Sequence, residues 1–286
     1  MVDPQLQNFL SNKLKIPVKD LVPVVGGCIN QTFKIFTAAQ GSFFCKVNSA
    51  SKFPHLFAKE KNGLALIEKQ HIIKVPRVLE IDILENKQIL ILEWIKAGTT
   101  NDEFWKTFGK QLAELHQITH EKFGLEEDNY MGSVTQSNKQ HTSWTSFFVQ
   151  ERMEPMIKRC KAILSSKQMS QVEVFYQRLP DIFYEQKPAL VHGDLWGGNF
   201  MCNNNTQPVL IDPAVYFGHP SVDLGMTNLF GGFDKSFYEA YHYHSPFAAN
   251  YKEQWKACNF YPLLIHLYLF GSTYMHSIQK TLNYFA

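Results

Sequence analysis

LVHGDLWGGNF, residues 190–200 of this chain of 286 residues, is followed by VLIDP at residues 209–213. Asp194 therefore lies in a glycine-rich turn, Asn199 follows it five residues later, and Asp212 ends a short apolar strand. Glycine allows the backbone to turn sharply and to come close to a ligand. The order and spacing predict that Asp194, Asn199 and Asp212 meet in one cleft.

This set of polar residues matches the needs of one reaction class. Phosphoryl transfer from ATP requires a carboxylate that accepts the hydroxyl proton, and an Asn and an Asp that hold Mg²⁺ against the phosphates. H-x-D-x-x-x-x-N followed by a strand-terminal Asp supplies these groups in the order found in kinases. Each residue alone is also a common turn or capping residue, so the prediction depends on their joint order. It implies an α+β, protein-kinase-like two-lobed fold.

The distribution of β-prone and helical patterns agrees with two lobes. The first third contains short β-prone segments and one helical segment, after which apolar residues recur at helical intervals. The predicted strands are 22–25, 32–37, 43–48, 81–84 and 89–94, and the predicted helix is 54–70. Thr100 and Glu103 have the spacing of a capping box at the start of the next helix. We expect a small β-rich N-lobe at residues 1–97 and a larger helical C-lobe at residues 98–286.

Composition restricts the class of protein. A hydrophobic fraction of 45% and a net charge of +2 are typical of a globular protein, without the basic clusters that nucleic-acid binding requires. The N-terminus lacks the pattern of a signal peptide, and the apolar segment 260–270 is too short for a membrane span. Five scattered cysteines without a C-x-x-C pair favour a reducing compartment. We expect a cytoplasmic monomer or weak homodimer that binds neither nucleic acid nor membranes.

HGDLWGGN at 192–199, IDPAVYFGHPSVDLGMTNLFGGF at 211–233 and FYEAY at 237–241 resemble the fructosamine kinase (ketosamine-3-kinase) family. This family belongs to the aminoglycoside-phosphotransferase-like branch of the kinase fold. The resemblance extends over nearly the whole chain and includes GGCINQTF at 26–33, KVN at 46–48 and DNYMGS at 128–133. It implies an enzyme that uses ATP and Mg²⁺ as its cofactors.

The resemblance also implies roles for individual residues. Asp194 would be the catalytic base, and Asn199 and Asp212 would bind Mg²⁺. Lys46, near the end of a predicted strand, would reach the α- and β-phosphates of ATP. Glu60, in the following helix, would form an ion pair with Lys46.

Two further segments are predicted to contact the nucleotide. Gly26, Gly27, Cys28, Ile29 and Asn30 lie between two predicted strands, where small residues allow backbone N–H groups to approach phosphates. Glu93, Trp94 and Ile95 close the last strand of the small lobe and are expected to form the hinge that meets adenine. Cys28 is either a redox-sensitive thiol or a small residue that suits the turn.

Differences from protein kinases point to a small-molecule substrate. Gly193 stands where protein kinases carry an Arg, and Asp212 is followed by Pro213 instead of Phe-Gly. Trp196, two residues after Asp194, offers an apolar surface for a sugar ring or an amine substituent, although lobe packing is the alternative. His192 and Asp223 are expected to be structural, with Asp223 bracing the catalytic loop.

We therefore expect transfer of the γ-phosphoryl group of ATP to a hydroxyl of a ketosamine, which the resemblance places at C3 of a fructosamine or ribulosamine. The ketosamine is either a small molecule or bound to a protein, and its phosphorylation would be a deglycation repair activity. One alternative is another kinase of the same fold, of the aminoglycoside, choline or homoserine type. An inactive ATP-binding scaffold and a nucleic-acid-binding module are further alternatives with less support.

Overall fold

The computed structural model describes residues 3–25, 29–38 and 41–286 of the chain. These residues form two compact units. The first contains the described residues up to Phe104 together with Gly198–Pro213, and the second contains Trp105–Gly197 and Ala214–Ala286. The boundary between residues 97 and 98 that we drew from the sequence stays a prediction.

An antiparallel sheet of five strands is the main element of the first unit, in the order β1-β2-β3-β5-β4. Its strands are β1 (Val18–Pro23), β2 (Gln31–Thr37), β3 (Ser42–Ser49), β4 (Val78–Leu84) and β5 (Lys87–Glu93). Two helices accompany the sheet, α1 (Pro4–Leu14) and α2 (Leu56–Glu68). The predicted helix and four of the predicted strands coincide with α2 and β2–β5, whereas segment 22–25 overlaps only the end of β1. Helix α1 was not predicted.

Alternation along β3 determines the direction of Lys46. Cys45 and Val47 are buried in an apolar cluster that includes Leu6 and Leu10 of α1. Because successive side chains of a strand point to opposite faces of the sheet, Lys46 points away from this cluster. The pattern of the strand thus places a cation on the face opposite to α1.

A short hairpin joins the first unit although it comes late in the sequence. Its strands are β9 (Phe200–Cys202) and β10 (Pro208–Leu210), which flank a turn that contains residues 203–205. Backbone bridges pair Val209 with Lys74 and Asn203 with Ala97. These backbone contacts explain why residues 198–213 belong to the compact unit of the large sheet.

The second unit is mostly helical. Its helices are α3 (Asp102–Leu115, from Trp105 on), α4 (Trp144–Phe147), α5 (Glu154–Cys160), α6 (Ser166–Ile182), α7 (Ser221–Met226), α8 (Lys235–His244), α9 (Tyr251–Phe270) and α10 (Met275–Phe285). A π-helical segment (Phe148–Met153) links α4 to α5. Two further antiparallel pairs of short strands were not predicted. They are β6 (Asn129–Met131) with β7 (Val134–Gln136) and β8 (Ala189–Val191) with β11 (Tyr216–Gly218).

The predicted capping box at Thr100 is wrong. Helix α3 begins at Asp102, and the side chain of Asn101 accepts a hydrogen bond from the backbone N–H of Phe104 at 2.8 Å. Asn is as good an N-cap residue as Thr, so the local pattern allowed both starts. Asn101 therefore takes the role that we assigned to Thr100.

The apolar segment 260–270 forms the C-terminal half of α9. Most of its side chains, from Phe260 to Leu267, are buried, while Phe270 is exposed. Among residues 3–25, 29–38 and 41–286, no helix has both the length and the hydropathy needed to cross a lipid bilayer.

Close packing of α3 against α8 yields a stability prediction. A Cβ atom added at Gly109 would lie 2.2 Å from the backbone oxygen of Phe237. We expect Gly109→Ala to lower the free energy of unfolding by about 2 kcal/mol, because overpacking outweighs the better helix propensity of alanine. Chemical denaturation would measure the change. The matched control is Lys110→Ala on the exposed side of α3, which should change the free energy of unfolding little. Equal unfolding free energies of the two variants would contradict the close packing at Gly109.

Candidate active site

Lys46 is the centre of a polar network in the first unit. It is 2% exposed, and its Nζ donates a hydrogen bond to Glu60 Oε1 at 2.7 Å. The same Nζ forms an ion pair with Asp212 Oδ1. The predicted pair of Lys46 and Glu60 is thus present, and it is extended by an Asp that lies 166 residues further along the chain.

The network contains one cation and two carboxylates. Burial alone would lower the pKa of Lys46, but the carboxylates of Asp212 and Glu60 outweigh burial and raise it. Burial raises the pKa of Glu60 to about 7, against the opposing effect of Lys46. Lys46 therefore stays charged, while the side chain of Asp212 remains 41% exposed and open to a further cationic partner.

Asn199 and Asp212 lie at the open end of the β9–β10 hairpin. The last pair of the hairpin joins Phe200 to Leu210, and the backbone N–H of Ile211 donates to the carbonyl of Asn199 at 3.1 Å. Asp212 has a φ of 54°, in the left-handed region that Asp adopts more readily than most residues. Hairpin pairing thus brings together two residues that are thirteen positions apart.

The donor set at this end of the hairpin fits Mg²⁺. The ion prefers oxygen ligands and is usually held by one or two carboxylates together with substrate phosphates. Asp212 supplies a partly exposed carboxylate, and the excess of carboxylates around Lys46 favours another cation. Within the described part of the chain, no group of three His, Cys, Asp or Glu side chains is arranged to hold a metal ion by itself. The nucleotide phosphates would therefore complete the coordination.

The structure describes only some residues of the two segments predicted to contact the nucleotide. Gly26, Gly27 and Cys28 lie outside the described residues. Asn48 of β3 donates through Nδ2 to the carbonyl of Ile29 at 3.2 Å and to Asn30 Oδ1 at 2.7 Å. This pair of hydrogen bonds fixes the end of the predicted phosphate loop to the strand that carries Lys46.

At the predicted hinge, Glu93 is the last residue of β5 and its N–H donates to the carbonyl of Arg77 at 3.0 Å. Lys34 Nζ lies 4.3 Å from the centre of the Trp94 ring, and Ile95 is buried. Contact of Glu93, Trp94 and Ile95 with adenine stays a prediction.

In the second unit, the turn after β8 requires glycine. Gly193 has a φ of 83°, and a Cβ atom at this position would lie 2.2 Å from the backbone oxygen of Ala214. The N–H of Ala214 also donates to the carbonyl of His192 at 2.9 Å. The turn that carries Asp194 is therefore packed directly against the segment before β11.

Asp223, at the N-terminal end of α7, holds this turn. It is fully buried, and its two carboxylate oxygens accept hydrogen bonds from the backbone N–H groups of His192 (2.7 Å) and Gly193 (2.9 Å). His116 Nε2 lies 3.1 Å from the same carboxylate, and His116 Nδ1 lies 2.8 Å from the hydroxyl of Tyr241. Asp223 thus links the turn after β8 to the end of α3 and to α7, and its role in bracing a catalytic loop stays a prediction.

The side chain of His192 also forms a hydrogen bond with the backbone of this turn. It is fully buried, and its Nδ1 accepts a hydrogen bond from the N–H of Asp194 at 3.3 Å. Asp194 itself is partly exposed. The side chain of His192 thus holds the backbone of the turn, and its assignment as a purely structural residue stays a prediction.

Trp196 lies at one end of an aromatic cluster in the second unit. It is 39% exposed and edge-on to Phe230, with ring centres 6.2 Å apart. Phe230 contacts His266, whose ring centre is 4.6 Å away. His266 Nδ1 donates to the carbonyl of Pro262 at 2.7 Å, and burial lowers the His266 pKa. The neutral ring then presents Nε2 as an acceptor.

Sequence reasoning missed several members of these networks. Asn48, His116, Tyr241 and His266 were not assigned roles. His116 ends the apolar stripe of α3, and a histidine at the end of a buried stripe is the signal that could have identified it. Whether Asp194 shares one cleft with Asn199 and Asp212 stays a prediction.

A double-mutant cycle tests the Lys46 network. Lys46→Met leaves Glu60 without its cation, and we expect the free energy of unfolding to fall by about 3 kcal/mol, as is typical when one partner of a buried pair is removed. Adding Glu60→Gln to Lys46→Met should restore part of this loss, since no unpaired carboxylate then remains at position 60. Urea denaturation of the four proteins provides the measurement. Additive losses would show that the two side chains do not interact.

A second pair of substitutions tests the brace at Asp223. Asp223→Asn replaces one acceptor oxygen by an amide that cannot accept from the turn, and hydrogen bonds to a charged group contribute about 1.5–3 kcal/mol each. We expect a loss of about 3 kcal/mol in unfolding free energy. Tyr241→Phe, which removes only the outer hydroxyl, should cost about 1 kcal/mol. Similar losses in both variants would contradict a brace centred on Asp223.

Comparison with known proteins identifies relatives that match nearly the whole chain. A Synechocystis protein named as a probable ketoamine kinase is 37% identical over 91% of this chain and 88% of its own length. The chloroplastic protein-ribulosamine 3-kinase of Arabidopsis thaliana is 32% identical over 98% of this chain and 87% of its own. A crystal structure of a candidate fructosamine-3-kinase from Thermobifida fusca YX-ER1 superimposes with a TM-score of 0.87 at 26% identity, covering 97% of both chains.

These likenesses confirm the α+β, protein-kinase-like fold predicted from the sequence, with an antiparallel sheet early in the chain and helices later. The model of the fructosamine kinase family matches residues 2–285. The chain belongs to the fructosamine kinase family.

Proposed function

We propose that this protein transfers the γ-phosphoryl group of ATP to the C3 hydroxyl of a ketosamine such as a fructosamine or a ribulosamine. The observation that carries the proposal is the buried Lys46 held between Glu60 and Asp212 in a member of the fructosamine kinase family. Kinases use such a lysine, positioned by a glutamate, to bind the phosphates of ATP. The names of the relatives supply the ketosamine as acceptor.

Nucleotide binding is assigned to the first unit. Lys46 binds the α- and β-phosphates, and Glu60 keeps its ammonium group in place. Ile29 and Asn30, which Asn48 holds beside the strand of Lys46, would lie next to the phosphates. Backbone groups of Glu93 and Ile95 hydrogen-bond adenine, next to Trp94.

Asn199 and Asp212 are the residues that would hold Mg²⁺. When bound, the ion neutralises charge on the phosphates during transfer. Asn199 offers an amide oxygen and Asp212 a carboxylate, and Lys46 keeps the carboxylate of Asp212 oriented through their ion pair.

Asp194 is proposed as the general base. Its carboxylate accepts the proton of the C3 hydroxyl while the hydroxyl oxygen forms a bond to the γ-phosphorus, and the bond between that phosphorus and the bridging oxygen breaks to release ADP. Asp223 and His192 keep the turn fixed, so the carboxylate of Asp194 needs little reorganisation.

Trp196 is proposed to bind the sugar. Its exposed ring provides an apolar surface for the C–H groups of the sugar, and Phe230 restricts the rotation of the indole. Nε2 of His266, near Phe230, can accept a hydrogen bond from a hydroxyl or an ammonium group of the substrate. The resulting 3-phosphate decomposes and frees the amine, so the reaction would repair glycated amines in the cytoplasm.

The alternative is a kinase of the same fold that acts on an aminoglycoside, choline or homoserine. A panel of these compounds and of ketosamines, with ADP production as the readout, separates the two proposals. We expect ADP formation with ribulosamine or fructosamine and none with the other compounds, and NMR should place the phosphate on C3.

Substitution of the base tests the assigned chemistry. General-base catalysis contributes about 10²- to 10⁴-fold, so Asp194→Asn should lower kcat by this factor while the affinity for ATP is unchanged. The control is Asp181→Asn, at an exposed position of the same unit, which should keep full activity. Turnover at the normal rate by Asp194→Asn would refute the role of Asp194.

A further inference from the structure

A groove in the second unit is not used by the chemistry described above. It has a volume of about 730 Å³ and lies among the end of α7, helix α8 and helices α9 and α10. Small-molecule sites have volumes of about 300–1,000 Å³, so the groove is large enough for several side chains. We name it the lysine groove, after Lys252, Lys256 and Lys280, which line it.

The charged residues that line the lysine groove are all positive. Among the described residues that line it, three are Lys and none is Asp or Glu. Nearby acidic residues of α8 and α9 are engaged elsewhere: Glu239 pairs with Lys235 at 2.7 Å, and Glu253 pairs with Arg178 at 3.5 Å. The groove therefore attracts a ligand that carries negative charge.

Aromatic side chains make up much of its remaining surface. Trp255 contacts Tyr251 and Phe247, with ring centres 4.9 and 5.3 Å apart, and all three line the groove. Lys256 Nζ lies 3.3 Å from the centre of the Tyr284 ring. A surface of aromatic rings with ammonium groups beside them suits a chain that has both apolar and acidic side chains, which is a property of polypeptides.

The groove adjoins the aromatic cluster of Trp196. Leu263 lines the groove, and His266, one turn further along α9, belongs to the cluster. Tyr274, the residue before α10, has its ring centre 4.9 Å from that of His266, and Ser277 in the first turn of α10 lines the groove. Residues three or four positions apart share a helix face, so α9 leads from the groove at Leu263 to the cluster at His266.

We propose that the lysine groove binds an acidic segment of the polypeptide that carries the ketosamine. This inference rests on the proposed function, because it takes the aromatic cluster as the place of the sugar and its amine. A ketosamine formed on a lysine side chain has polypeptide on both sides of it, and carboxylates in that polypeptide are attracted to the three lysines. The preferred substrate is then a protein-bound ketosamine next to Asp or Glu.

The test compares three substrates that share one ketosamine: a small ketosamine of N-acetyl-lysine, a peptide with Glu on both sides of the modified lysine, and the same peptide with Gln instead. Each exposed ion pair contributes only a small attraction, so the three lysines together should lower the KM of the acidic peptide about ten-fold relative to the neutral one. Added salt should reduce this difference.

The variant Lys252→Gln/Lys256→Gln/Lys280→Gln should remove the difference in KM between the two peptides. Its kcat with the small ketosamine should equal that of the unmodified enzyme, which also reports a correct fold. The matched control is Lys161→Gln/Lys167→Gln/Lys187→Gln, which changes three exposed lysines of the same unit outside the groove and should retain the preference.

The outcomes separate the two proposals. Absence of phosphorylation of all three substrates would overturn the proposed function. Phosphorylation of the small ketosamine with equal KM values for the two peptides, or a preference that survives in the groove variant, would overturn the groove proposal alone.

Discussion

The first unit depends on one buried cation. Lys46 is almost inaccessible to water, and a buried ammonium group is tolerated only when it is paired. Glu60 of α2 and Asp212 after β10 both contact it. The requirement to satisfy this charge therefore ties a strand, a helix and a segment from late in the chain to one point. Because Cys45 and Val47 occupy the apolar face of the same strand, the register of β3 also fixes the direction of Lys46.

The ion pairs of Lys46 with Glu60 and Asp212 are better suited to binding a ligand than to stabilising the fold. Buried ion pairs often contribute little net stability, since desolvation offsets much of the Coulomb attraction. Two carboxylates around one ammonium group leave an excess of negative charge. This excess would attract a metal ion, and the two carboxylates would keep Lys46 oriented toward phosphates. In the second unit, the buried carboxylate of Asp223 holds the backbone of His192 and Gly193 through its two oxygens, and so fixes the turn that carries Asp194.

Much of this could be predicted from the sequence. Short β-prone segments identified β2–β5, and the order and spacing of Asp194, Asn199 and Asp212 identified the reaction class. Lys46 and Glu60 were paired by resemblance, and the structure shows the contact. Local patterns failed where contacts are distant in sequence: His116 meets Tyr241 across 125 residues, and no local spacing signals such a pair. Strands β8 and β11 are only three residues long, which is too short for alternation to be recognised. At α3, both Thr100 and Asn101 are residues that cap helices, and the helix start at Asp102 makes Asn101 the cap.

The central claim is that Lys46 binds the phosphates of ATP. Calorimetric titration of the unmodified protein and of Lys46→Met with ATP and with adenosine, both in the presence of Mg²⁺, tests it directly. The account predicts that the unmodified protein binds ATP far more tightly than adenosine, and that Lys46→Met loses most of this difference while its affinity for adenosine is unchanged. An equal preference for ATP over adenosine in both proteins would contradict the account.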